Sequence, residues 1–89
     1  MYSQRMETIQ IDRVAVQEAI AEEVRAELAR KRLSGVRAAK ALGWTQNYIA
    51  RRMIGAVPFD AVDLVALAEL LGIPAARFFD LPSDIRTPG

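Results

Sequence analysis

Between Leu28 and Phe59 the chain carries seven basic side chains, Arg30, Lys31, Arg32, Arg37, Lys40, Arg51 and Arg52, and not one acid. Inside that stretch stand two amides, Gln46 and Asn47, with Arg51 four residues after Asn47, a spacing that puts the last two on one face of any helix formed there. These groups recognise by charge and by hydrogen bonding; they do not make or break bonds. The rest of the chain holds five basic and eleven acidic residues, so the formal net charge of +1 conceals +7 set beside −6. Positive charge focused on one segment attracts a polyanion even when the whole molecule is nearly neutral.

The inventory excludes other chemistry. There is no Cys and no His, which removes disulfides, thiolate and imidazole metal sites, cysteine nucleophiles and the commonest general base. No catalytic set, metal, cofactor or small-molecule substrate is expected. Eighty-nine residues, 52% of them apolar, make one domain with a modest core. Met1–Gln10 lacks the apolar core of a signal peptide and no apolar run approaches a membrane span of roughly 18 residues, so the sequence reads as that of a cytoplasmic protein, free in a bacterial host cell or nucleoid-associated.

The elements that must position these groups are helices. Asp12 caps a long amphipathic helix, about 13–32, in which Val16, Ile20, Val24 and Leu28 recur every fourth residue and Arg30-Lys31-Arg32 suits the negative end of the macrodipole. The acids Glu18, Glu22, Glu23 and Glu27 along it read as a solvated face. Ser34 caps a short second helix with Ala38, Ala39 and Leu42 inward, and Gly43 ends it in a left-handed turn. Thr45 caps a third, about 46–54, with Ile49 and Met53 on one face. Asp60 and Asp63 form a capping box with a shorter acid ahead of Leu64, Leu67, Ala68 and Leu71, the apolar stripe of a fourth helix ending at Gly72. A short fifth helix, Ala75–Asp80, follows Pro74 and tucks Phe78 inward. Residues 1–11 are read as irregular, although Ile9 and Ile11 alternate as in an edge strand. Residues 81–89 are read as a flexible tail or linker pointing to a further domain. The domain proper is 12–80. Val62, Val65 and Leu70 form a second apolar edge on the fourth helix, suited to a dimer seam or to burial.

Two short helices joined through a glycine turn make a helix-turn-helix, whose second helix enters the major groove of DNA. Ala39, Gly43 and Ile49 supply the small crossing residue, the turn and the anchor. With Ser34, Thr45-Gln46-Asn47, Gly55, Pro58 and the run Leu64 to Ile73, the chain from about Val24 to Phe79 resembles the lambda-repressor-like family of phage repressors and Cro-type proteins. The resemblance implies an all-α, compact five-helix DNA-binding domain that regulates transcription. It places Gln46, Asn47 and Arg51 at base-reading positions and Tyr48 beside the phosphate backbone. The chemistry is suited: Gln and Asn pair with adenine N6 and N7, Arg with guanine O6 and N7. Ser34, Gly35 and Thr45 are candidates for phosphate contacts at helix starts, extended by Arg37 and Lys40. The partners implied are a double-stranded operator and a second copy of the chain. An antitoxin or adaptor module and a recombination or excision accessory are the alternatives. Arg52 departs from the pattern, standing where an apolar residue usually packs: either its stem snorkels or Met53 fills the position. Trp44 is expected in the core.

Overall fold

The computed structural model describes residues 10–81 and 86–87. Four α-helices follow in order, α1 (Arg13–Arg30), α2 (Gly35–Leu42), α3 (Gln46–Met53) and α4 (Ala61–Leu71), and then a single 3₁₀ helix, Ala75–Phe79. Flanking them, β1 (Gln10–Ile11) and β2 (Arg86–Thr87) pair antiparallel, with Gln10 opposite Thr87 and Ile11 opposite Arg86.

Every α-helix begins at the side-chain cap legible in the sequence. The backbone N–H of Ala15 donates to Asp12 Oδ1 at 3.1 Å, Arg37 N–H to Ser34 Oγ at 3.1 Å, Tyr48 N–H to Thr45 Oγ1 at 3.1 Å and Asp63 N–H to Asp60 Oδ1 at 2.7 Å. The box at α4 is closed by Asp60 N–H donating back to Asp63 Oδ2 at 3.1 Å. Such caps satisfy otherwise orphaned amides, each worth about 1 kcal/mol. Gly43 and Gly72 end α2 and α4 at φ 74° and 69°, where a side chain would crowd its own carbonyl. α1 stops two residues sooner than expected. Lys31 is its C-cap, and Arg32 takes the left-handed position at φ 55°, closed by Leu33 N–H donating to Leu28 O at 2.9 Å.

The core is assembled from one stripe of each helix. Val24 and Leu28 of α1, Ala38 and Ala39 of α2, Ile49 of α3, Leu64, Leu67 and Leu71 of α4, and Phe78 are all buried. Phe78, Leu28, Ile49 and Leu67 are wholly so, each contributing roughly 2–3 kcal/mol by area. Trp44 and Leu70 are partly buried against this cluster, whereas Val62 and Val65 remain exposed, so the second edge of α4 splits.

Three expectations need correction. The fifth helix is 3₁₀, because five residues between Pro74 and Asp80 are too few for a run of i→i+4 bonds. Gln10–Ile11 and Arg86–Thr87, read as irregular segment and flexible tail, bond to each other; a two-residue strand has no periodicity, and its partner lies at the far end of the chain. Ile9 and most of the tail fall outside the described residues. Glu27 is not on a solvated face: it is 2% exposed, and its Oε2 pairs with Arg30 and, at 3.4 Å, with Arg77 beside Phe78.

The left-handed positions generate a signed prediction. A Cβ at Gly43 or Gly72 meets nothing within 4 Å, so Gly43→Ala and Gly72→Ala are each expected to cost about 1 kcal/mol from backbone conformation alone. Arg32→Gly should stabilise by a few tenths to about 1 kcal/mol for the same reason. Urea denaturation of the three variants checks both signs.

Candidate nucleic-acid interface

α2 and α3 meet through the smallest residues available. Ala38 and Ala39 are buried at the crossing, Gly43 turns the chain, Trp44 N–H donates to Ala39 O at 2.8 Å, and Ile49, 1% exposed, anchors α3 from beneath. Gly35 stands at the first position of α2, where a Cβ would lie 2.9 Å from Sδ of the flexible Met53 side chain. The start of α2 therefore lies directly against the end of α3.

The roll of α3 about its axis is set by a polar cluster. The Tyr48 hydroxyl donates to Asp63 Oδ1 at 2.7 Å. Arg52 lays its guanidinium over the Tyr48 ring at 3.5 Å from the centroid, donates from Nη1 to Tyr48 O at 2.9 Å, and brings Nε within 3.4 Å of Asp63 Oδ2. That last contact is an ion pair without hydrogen-bond alignment, since the buried Nε has no hydrogen-bond partner. Trp44 also packs against Tyr48, centroids 5.0 Å apart and tilted by 47°. Arg52 is thus not a snorkelling intruder but the cation of a half-buried cluster around the buried Asp63, and Met53 shares the apolar contact with the core. The hydrogen bond to Asp63, with burial and the Asp63 charge behind it, pushes the Tyr48 phenol above the ordinary tyrosine range, and Arg52 opposes the rise. Its proton is committed to Asp63, so the Tyr48 hydroxyl is not a free phosphate donor.

With that roll, Gln46, Asn47 and Arg51 are exposed, and among the described residues no hydrogen bond or ion pair engages their side chains. Arg37 and Lys40 are likewise exposed and uncommitted, flanking a hollow on the outer face of α2 shared with Val36 and Ala41. Ser34 and Thr45 accept amide hydrogen bonds at their hydroxyl oxygens, which leaves each hydroxyl proton available to an outside acceptor. Arg25 was not singled out by sequence: it lies outside the acid-free stretch, yet its guanidinium donates to Met53 O at the C-terminal end of α3. Nothing in the linear pattern signals a contact spanning 28 residues.

The family description "Helix-turn-helix domain" matches residues 17–78. The chain belongs to the helix-turn-helix domain family. Membership sets it among DNA-binding regulators and apart from enzymes. The fold is shared with solved structures at low identity. The clp gene regulator ClgR from C. glutamicum superposes with a TM-score of 0.67 at 20% identity, covering 72% of this chain and 83% of that one. The hypothetical transcription factor NHTF from Neisseria gives 0.71 at 16% identity, covering 91% and 92%. No curated protein sequence matches the chain. Among the described residues of this helix-turn-helix domain, no helix is long and apolar enough to cross a membrane and no acidic cluster could hold a metal ion.

Asp63→Ala removes a buried carboxylate from Tyr48, Arg52 and the cap of α4 together, and is expected to destabilise by about 3 kcal/mol in chemical denaturation. The raised Tyr48 pKa has a definite sign: its stabilising contribution is present below about pH 10 and is lost as pH rises through the folded-state value. Ultraviolet titration of wild type minus Tyr48→Phe should therefore place Tyr48 ionisation above 10, moving down in Asp63→Asn.

Proposed function

We propose that this protein is a sequence-specific regulator of transcription that binds double-stranded DNA, a phage-type repressor or Cro-like protein reading the major groove with α3. The observation that carries the reading is the outward face of α3, where Gln46, Asn47 and Arg51 are exposed and uncommitted within a stretch free of acids. Side chains with paired donors and acceptors suit adenine and guanine edges, and each good bidentate pair discriminates by roughly 1–3 kcal/mol. Ser34, Gly35 and Thr45 at the helix starts, with Arg37 and Lys40, hold the phosphates that set register and make affinity fall with salt. Tyr48 serves this surface by packing and by positioning α3. Bound at an operator, the domain obstructs or redirects polymerase sterically. Val62 and Val65, exposed on α4, suit a second copy, as a palindromic operator would require.

Selection from a random duplex pool tests the reading. A palindromic consensus supports the dimeric regulator and a single half-site a monomeric one. Absence of any consensus overturns sequence-specific binding in favour of a protein-interaction module. Against the selected site, Gln46→Ala and Arg51→Ala should lose about 5- to 100-fold at particular base pairs while relaxing preference there. Lys40→Ala should weaken all sequences alike and reduce the salt slope by about one; uniform losses from the first two variants contradict base readout.

A further inference from the structure

The outward face of α3 is not uniformly polar. Successive helical residues turn by about 100°, so Gln46, Ala50 and Ile54 form one strip and Asn47 and Arg51 the next. Ala50 is exposed and Ile54 is 72% exposed, which puts apolar surface between the amide of Gln46 and the other two polar groups. Across from this strip, at the start of α2, Val36 is 51% exposed. The missing side chain of Gly35 lets that start close on Met53. Val36, Ala50 and Ile54 thereby wall an open groove of about 320 Å³, with Gln46 and Arg25 at its polar rim.

The geometry points to this groove as the receptor for a thymine C5-methyl group, making Ala50 and Val36 specificity-determining residues. The inference rests on the proposal that α3 reads the major groove. An exposed apolar groove in a surface otherwise supplied with uncommitted cations, Arg37, Lys40 and Arg51, fits an occupant that is polyanionic overall yet offers a small apolar group. On the base edges of duplex DNA facing the major groove, that group is the thymine methyl. Gln46 on the same strip directs its amide toward the adjoining base, so a thymine is expected beside the pair that Gln46 reads.

Replacing each thymine of a selected duplex in turn by uracil removes only the methyl and keeps the pairing. Affinity of the wild-type protein should fall about fourfold at one position in each bound site, the loss of one buried methyl group, and should be indifferent elsewhere. Ala50→Gly and Val36→Ala should each erase the thymine-over-uracil ratio at that position, whatever their effect on overall affinity. A protein that binds its site specifically but accepts uracil everywhere overturns the methyl pocket and leaves DNA reading intact. One that prefers no sequence overturns DNA reading, and the pocket with it.

Discussion

One carboxylate joins the two helices that matter most. Asp63 is 4% exposed, and a charge so far from water persists only when its oxygens are well partnered. Its partners are the amide of Asp60 at the start of α4 and two side chains of α3, Tyr48 and Arg52. Ile49 alone would hold α3 against the core but would tolerate rolling about its axis, because dispersion contacts have little directionality. Hydrogen bonds and a guanidinium stacked on a ring are directional. The Asp63 cluster therefore converts burial of α4 into a fixed rotation of α3, and with it the set of side chains presented outward.

α1 supplies the complementary constraint from the other side. Arg25 donates to the last carbonyl of α3, where a cation also suits the helix dipole. A Cβ at Gly55 would come within 3.2 Å of Glu18 Cγ, so the loop after α3 runs tight against α1. Glu27, buried between α1 and the 3₁₀ helix, ties the far end through Arg77. α3 is consequently gripped at its start by Thr45, along one side by Asp63 and at its end by Arg25, while its outward strip makes no internal commitments. Rigidity in the support and freedom along the outward strip together suit the reading role proposed for α3, since little ordering would be left to accomplish on binding.

The fold is shared with solved structures at only 16–20% identity. Caps, turn glycines and small crossing residues are dictated by backbone geometry and admit few substitutes. The outward residues of α3, exposed and uncommitted, meet no such demand from the fold. The acid-free stretch likewise divides in three dimensions: Arg52 turns inward to Asp63, Arg30 pairs with Glu27, and Arg37, Lys40 and Arg51 stay exposed and uncommitted.

By itself the sequence determined the four α-helices, their caps, the turn at Gly43, the core stripe from Leu64 to Leu71 and the inward Phe78. All of these follow from local chemistry: a capping oxygen, a residue that tolerates positive φ, or apolar side chains at helical spacing. Only the tertiary structure decided the fate of Arg52, Tyr48, Glu27 and Arg25, the 3₁₀ geometry after Pro74, and the pairing of residues 10–11 with 86–87. Each depends on a partner remote in the chain or on a segment too short to carry a period. Whether a charged side chain faces solvent or a buried counter-ion is settled by what folds against it. The sequence could therefore name Gln46, Asn47 and Arg51 as candidate readers on α3, but the apolar strip between them emerged only once its roll was set.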